Sequence, residues 1–154
     1  MKYLTFDTGP FLLIFTKERG SEEARKAVLK HEEGKLEIFM HPNNLAEAYK
    51  MISLMRREKP SLLLKDVEPE AAISSAYANL RVVQDEKTTV KLGMLKLKYD
   101  GKSWGDLSSA ALSLRLSEKE KVPVVILDNE RRFDDIKEIS TIRISDLRQI
   151  LESL

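Results

Sequence analysis

Cysteine is absent from this sequence of 154 residues, and only two histidines occur, His31 and His41. Without cysteine, the chain can form no disulfide, no thiolate metal site and no cysteine nucleophile. Two histidines are also too few for a histidine-rich zinc site. These absences exclude thiol chemistry and make zinc a poor match for any metal site in the chain.

Neither sign of charge dominates, and no long apolar run is present. Lys and Arg number 26 against 25 for Asp and Glu, a net charge of +1, so the overall basic excess typical of many nucleic-acid-binding domains is missing. No apolar run approaches the roughly 20 residues that a membrane-spanning helix needs. The length suits one core. We therefore expect a single domain over residues 1–154, located in the cytoplasm and not in a membrane.

Short apolar runs alternate with longer amphipathic stretches along the chain. The predicted strands cover residues 3–6, 36–40, 80–83, 122–127 and 141–144, and the predicted helices begin near residues 21, 43, 69, 86, 104 and 146. Residues 8–10, Thr-Gly-Pro, are predicted to form a turn. Strands that alternate with helices form parallel βαβ units. The sequence therefore predicts an α/β fold, a five-stranded parallel sheet with helices on both faces.

Two acidic residues follow predicted strands. Asp7 comes directly after the first strand, and Asp128 comes directly after the fourth. Ligands of open parallel sheets bind at the carboxyl ends of the strands, so both residues are candidates for a site. Either one could instead be the N-cap of the helix that follows, a position that Asp favours.

Two further acids belong to predicted helices that start at the same edge of the sheet. Glu47 shares a helical row with the apolar Met51 and Leu54, and an unpaired buried carboxylate would need a cation or strong donors. Asp106 begins a helix with a row of small residues that allows close approach to its neighbours. Glu47 could alternatively be a first-turn acid stabilised by the helix dipole, and Asp106 could be a first-turn acid or the N-cap of its helix.

Clustered carboxylates without cysteine or histidine are ligands for hard ions such as Mg²⁺ or Mn²⁺. Such an ion activates water and neutralises phosphate charge, as metal-dependent phosphodiester hydrolysis requires. We therefore expect Asp7, Glu47, Asp106 and Asp128 to act as metal ligands and as the catalytic residues.

The order of these motifs resembles the PIN-domain family, which includes the VapC-like nuclease toxins of toxin–antitoxin pairs. The matching segments are LTFDT at 4–8, NNLAE at 43–47, GDLSSAA at 105–111 and VVILD at 124–128, followed by Phe133. No single motif is specific, but their order and spacing extend over essentially the whole chain.

The resemblance implies a five-stranded parallel sheet, an Mg²⁺- or Mn²⁺-dependent endoribonuclease, frequent homodimers and a possible small antitoxin protein as partner. Asp7, Glu47 and Asp106 match the three principal acids of the family, and Asp128 matches its more variable fourth acid. Ile126 departs from the pattern, since many members have Thr or Ser two residues before that last acid. Thr8 could orient Asp7 or serve a local turn.

Other classes of protein fit less well. A phosphatase of the haloacid dehalogenase type needs two Asp residues two apart, where this chain has Asp7-Thr8-Gly9. A response-regulator receiver needs a phospho-acceptor Asp after its third strand and a Lys after its fifth, where this chain has Gln84-Asp85 and Ser145-Asp146. The main alternative is a PIN-like module that binds RNA or protein without cleaving.

Several other residues are open to two interpretations. Lys91, Lys96, Lys98 and Lys102, with Arg131 and Arg132, could form a path for RNA phosphates or be ordinary solvated residues. Trp104 could stack on a base or pack in a core or subunit contact. The leucines at 62–64 would be an aggregation liability on an exposed helix, which favours a homodimer.

Overall fold

The computed structural model describes residues 2–65, 68–83 and 85–154. Within these ranges the strands are β1 (Lys2–Phe6), β2 (Leu36–Met40), β3 (Arg81–Val82), β4 (Val125–Asp128) and β5 (Thr141–Arg143). The helices are α1 (Thr8–Leu13), α2 (Ser21–Glu32), α3 (Pro42–Glu58), α4 (Pro69–Asn79), α5 (Glu86–Lys98), α6 (Trp104–Glu120) and α7 (Ile144–Glu152), with a 3₁₀ turn at Pro60–Leu62. Gln84, which enters the comparison with receivers, lies outside the described residues.

The five strands form one parallel sheet in the order β3-β2-β1-β4-β5. The chain adds β2 and β3 on one side of β1 and then returns to add β4 and β5 on the other. The order of strands therefore reverses between β1 and β4, and a crevice opens outside the carboxyl ends of strands at such a point. Asp7 and Asp128 lie at this position, at the ends of β1 and β4.

Alternate residues of the strands pack against different sets of helices. Leu4 and Phe6 belong to a core with buried residues of α1, α2, α3 and α7. Ile126 belongs to a second core with α5 and α6, and Phe39 packs with α6 and Val124. A parallel sheet buried on both faces produces this alternation. The predicted α/β fold, with helices on both faces of a five-stranded parallel sheet, is confirmed.

Some predicted boundaries are wrong. Thr8, Gly9 and Pro10 do not form a turn but begin helix α1. Proline is tolerated in a first helical turn because the N–H groups there have no partner within the helix. Strand β4 begins at Val125 rather than at residue 122, and α7 begins at Ile144 rather than near residue 146.

The leucine run at 62–64 is held within the chain. The backbone of Leu64 donates to the Phe15 carbonyl (2.9 Å), and Lys17 donates to the Leu62 carbonyl (2.8 Å). Leu63 is buried and forms an isolated antiparallel bridge with Thr16. These contacts account for the run, so it gives no independent reason to expect a subunit interface.

None of the helices in the described part of the chain combines the length and the apolar character needed to cross a membrane.

Candidate active site

Asp7 occupies the crevice between β1 and β4 and is buried, with 3% of its surface exposed. Its backbone lies at the N-cap of α1, but its side chain makes no capping hydrogen bond. Instead, Asp7 Oδ1 accepts hydrogen bonds from Ser109 Oγ (2.8 Å) and Asn44 Nδ2 (3.1 Å). The side chain is thus directed towards α3 and α6 rather than towards its own helix, contrary to the cap interpretation.

Asn44 links the three elements that meet at Asp7. It is fully buried, and its Nδ2 lies within hydrogen-bond distance of Asp7 Oδ1, Thr8 Oγ1 (3.2 Å) and the Gly105 carbonyl (3.0 Å). Its Oδ1 lies 3.1 Å from Ser109 Oγ, whose single hydrogen is shared between Asn44 and the shorter bond to Asp7. Thr8 takes part in the network, as the resemblance suggested. Sequence reasoning gave no role to Asn44 or Ser109. Their spacing of three residues from Glu47 and Asp106 was the available signal, because residues three apart share a helix face.

Glu47 lies in the second turn of α3, because that helix begins at Pro42. The interpretation as a first-turn acid is therefore wrong. The carboxylate is partly buried against the start of α6: a Cβ added to Gly105 would lie 2.5 Å from Glu47 Oε2. Real Cβ atoms essentially never approach so closely, so the absence of a side chain at Gly105 leaves the space that Glu47 fills.

Asp106 is the third residue of α6, and its side chain is 14% exposed. Ser103 is the N-cap of this helix, since its Oγ accepts from the Asp106 backbone N–H at 3.1 Å. Asp106 is therefore a first-turn residue and not the cap. Its Oδ1 lies 3.9 Å from Nη1 of Arg132. The N-terminal turn of α6 thus places Asp106 opposite an arginine from the loop after β4.

Asp128 ends β4 and is fully buried. Its Oδ1 accepts from the Glu130 backbone N–H (2.9 Å), and its Oδ2 pairs with Nη1 of Arg143 (2.8 Å). No helix follows directly, so the helix-cap interpretation of Asp128 is wrong. Arg143 also binds the Glu130 carbonyl and Asp134. Both Asp128 oxygens therefore have partners, and the pair joins the ends of β4 and β5.

The electrostatics connect these acids. The pKa of Asp7 is raised from 3.8 to about 7, chiefly by burial and also by the charges of Asp106 and Asp128, while hydrogen bonds from Ser109 and Thr8 oppose the shift. Burial also raises the pKa of Asp128, although Glu130 and Arg143 oppose the shift. Asp7 therefore interacts electrostatically with both other aspartates across one site.

These side chains suit a hard cation without enclosing one. The available groups are carboxylate and amide oxygens, the donors that Mg²⁺ and Mn²⁺ prefer. Among residues 2–65, 68–83 and 85–154, however, no three acidic or histidine side chains converge closely enough to count as a preformed metal site.

The lysines predicted as a phosphate path have local partners. Lys91 pairs with Glu118, Lys98 with Glu138 and Lys102 with Asp135, while Lys96 donates to the carbonyls of residues 100 and 102. Trp104 is 56% exposed, with Lys96 Nζ 5.1 Å from its ring centre. Trp104 is therefore not a core residue of this chain, and its role in binding stays a prediction.

The histidines have structural partners. His41 is the N-cap of α3 and accepts from the Asn43 backbone N–H at 3.0 Å. His31 contacts the backbone of Leu36, Ile38 and Asn79. These contacts fasten elements of the fold.

No family model matches the sequence, and no curated protein matches it significantly. Solved structures do match. PAE2754 from Pyrobaculum aerophilum superposes with a TM-score of 0.62 at 15% identity, over 99% of this chain and 98% of that one. VapBC2 from Rickettsia felis, bound to a promoter DNA fragment, superposes with a TM-score of 0.63 at 15% sequence identity, over 92% of this chain and 98% of that one. A toxin–antitoxin complex from Klebsiella pneumoniae superposes with a TM-score of 0.52 at 12% sequence identity, over 90% of this chain and 96% of that one. The chain therefore has the same fold as these three proteins, in agreement with the fold that its resemblance to the PIN-domain family implied.

Proposed function

We propose that this chain is an Mg²⁺- or Mn²⁺-dependent endoribonuclease whose site is formed by Asp7, Glu47, Asp106 and Asp128. The observation that carries the proposal is the environment of Asp7. This buried carboxylate lies at the reversal of strand order, faces the charges of two other aspartates and has a pKa raised to about 7. A cation bound there would offset both the burial and the repulsion.

The metal ion would supply an activated water molecule and charge neutralisation at the phosphate. The chain's own residues prepare its position. Asn44 and Ser109 hold Asp7 Oδ1, and Gly105 leaves space for the Glu47 carboxylate. Because Asp7 must be ionised to bind a cation, metal affinity and cleavage should increase as the pH rises through about 7.

Asp128 is the fourth acid of the proposed site, and its role depends on Arg143. Asp128 Oδ2 is paired with Nη1 of Arg143 at 2.8 Å. Direct binding of a cation through that oxygen would require Arg143 to move. While the pair is intact, Asp128 serves to position the loop that leads to Arg132.

The direct test is cleavage of mixed single-stranded and structured RNA by the purified protein, with Mn²⁺ and with a chelator. We expect cleavage only with the metal. An Asp7→Asn preparation purified identically controls for contaminating nucleases. Equal cleavage with Mn²⁺ and chelator, or equal cleavage by the variant, would rule out the proposal.

The alternative is a PIN-like module that binds RNA or a protein without cleaving. Two observations favour it. Arg143 forms an ion pair with the carboxylate of Asp128, and Ile126 lies where many members of the PIN-domain family have Thr or Ser. RNA binding that Mn²⁺ does not convert into cleavage would support this alternative.

A toxin–antitoxin role is part of the proposal. The Rickettsia felis VapBC2 and Klebsiella pneumoniae structures are assemblies of this kind. We propose that this chain acts on RNA in the cytoplasm and is held inactive by a small antitoxin protein. A neighbouring reading frame that encodes a small DNA-binding protein, and that relieves growth arrest when co-expressed, would support this role. Growth unaffected by expression of the active nuclease would contradict it.

We also propose a homodimer that uses the exposed face of α5. Val90, Met94 and Leu97 are 55%, 65% and 87% exposed, at the spacing of one helix face. Gly93 lies among them. A glycine inside a helix lowers helix stability by about 1 kcal/mol relative to alanine. A Cβ added at Gly93 would meet no atom within 4 Å, so nothing inside this chain requires a glycine there. A close approach by a second α5 would give this glycine a packing role. An antiparallel crossing would also bring Glu86 near the lysine-rich end of the other copy.

A further inference from the structure

Arg132 lies over the proposed metal site and is used by none of the steps described above. It belongs to the loop between β4 and β5. Its Nε donates to Glu130 Oε2 at 2.8 Å, and its Nη1 lies 3.9 Å from Asp106 Oδ1. The side chain is 49% exposed. The guanidinium group is thus tethered at one end and faces both the acids and solvent at the other.

The backbone that carries this side chain is fastened on several sides. Phe133, the next residue, is 1% exposed and packs in the core with α5 and α6. Lys102 Nζ donates to the Arg132 carbonyl at 2.7 Å. Arg143 binds the Glu130 carbonyl and Asp134 on either side of Arg132 along the chain. A fixed backbone with a half-exposed charged group is a suitable arrangement for contacting a ligand at this site.

The contact between Arg132 and Asp106 can be exchanged at little cost. A separation of 3.9 Å is too long for a hydrogen bond, so the two groups are held by charge alone. Partly exposed ion pairs of this kind contribute little to stability. A guanidinium whose Nε is engaged still offers its Nη hydrogens, and planar guanidinium groups bind phosphate oxygens well.

We propose that Arg132 is a substrate-binding residue that contacts a phosphate of the RNA backbone beside Asp106, and that it competes with the metal ion for Asp106 when RNA is absent. The proposal rests on the proposed ribonuclease function and deepens it. With a divalent cation at this site, the charge of Asp106 would be neutralised and the Arg132 guanidinium would be released from it. The RNA phosphate then becomes the anion that Arg132 can pair with.

The two roles predict opposite effects of one substitution. In Arg132→Gln, loss of the competing charge should strengthen Mn²⁺ binding without RNA by about threefold. Loss of the phosphate contact should raise KM for a single-stranded RNA by about tenfold. Arg132→Lys, which keeps the charge without the planar fork, should bind Mn²⁺ as the original protein does and recover KM only in part.

The matched control is Arg131→Gln, which removes the same charge at the neighbouring position. Arg131 is exposed, and no ion pair is seen for it among the described residues. The experiment measures Mn²⁺ binding by calorimetry and KM and kcat for a single-stranded 20-residue RNA, at constant salt. Melting of every variant checks that it is folded.

We expect Arg132→Gln to differ from Arg131→Gln in both measurements. The proposed role of Arg132 is wrong if the two variants have the same Mn²⁺ affinity and the same KM, or if Arg132→Gln binds Mn²⁺ more weakly than the original protein. In either case, metal-dependent cleavage by the original protein would still support the proposed function. If the original protein neither binds Mn²⁺ nor cleaves RNA, the proposed function fails and this role fails with it.

Discussion

At the scale of single residues, the main consequence concerns the buried charge of Asp7. Its pKa in the folded protein, about 7, lies above the ordinary value of 3.8. Between these pH values the folded state binds more protons than the unfolded chain, so Asp7 makes stability fall as the pH rises from about 4 to about 7. At low pH both states are protonated and this loss disappears.

Asp7→Asn should therefore stabilise the metal-free protein at pH 8, by up to about 4 kcal/mol, and change little at pH 4. The asparagine keeps an oxygen that can accept from Ser109 and Asn44. The measurement is denaturant unfolding at both pH values, with the exposed Asp100→Asn as control. If Asp7→Asn is less stable than the original protein at pH 8, the site does not disfavour the ionised carboxylate of Asp7.

Gly105 provides a second test at this scale. Gly105→Ala places a Cβ 2.5 Å from Glu47 Oε2, and the carboxylate can move aside because it is the end of a flexible side chain. We expect a protein that melts within about 1 kcal/mol of the original but binds Mn²⁺ at least about tenfold more weakly. Gly101→Ala, where an added Cβ meets nothing within 4 Å, is the control. Unchanged Mn²⁺ binding would argue against Glu47 as a ligand.

At the scale of elements, the strands and long helices followed from the sequence. Apolar runs and helical periodicity are direct sequence signals for strands and helices, so the sheet and the placement of the four acids beside it could be predicted. Helix α1 could not. Its six residues begin with Thr-Gly-Pro, which resembles a turn, and the helix depends on burial of Phe11, Leu12 and Leu13. Such a tertiary effect overrides local preference.

The contacts inside the site show the same limit. Asn44 and Ser109 are polar helix residues, and most such residues are exposed, so their spacing from Glu47 and Asp106 was only a weak signal for their bonds to Asp7. The pairing of Asp128 with Arg143 joins residues 15 apart on neighbouring strands. Only the order of strands in the sheet brings them together. Partners in space are therefore harder to predict than the acids themselves.

The Asp128–Arg143 ion pair should stabilise the fold by joining the ends of β4 and β5. Arg143→Gln leaves a fully buried carboxylate without its cation. We expect a loss of about 3 kcal/mol at pH 8 and a smaller loss at pH 4, where the raised pKa of Asp128 favours its neutral form. Arg148→Gln on α7, which removes a more exposed arginine, is the control. Equal melting of Arg143→Gln and the original protein at pH 8 would contradict this role.

At the scale of the whole molecule, the proposed homodimer depends on the exposed face of α5. Leu97 is 87% exposed, so Leu97→Glu should leave the folding of the monomer almost unchanged while placing charge in the subunit contact. We expect light scattering at micromolar concentration to give a dimer for the original protein and a monomer for the variant. Leu29→Glu, at an exposed leucine of α2, should remain dimeric. A monomeric original protein would remove this part of the account.

The central claim is that the acids at this edge of the sheet hold a metal ion for cleavage of RNA. The most direct measurement is a paired melt and RNase assay of Asp106→Asn, with and without Mn²⁺. The capping role at this helix belongs to Ser103, so the substitution should leave the fold intact. We predict normal melting without metal, loss of stabilisation by Mn²⁺ and loss of cleavage. A variant that melts normally and still cleaves RNA would contradict the account.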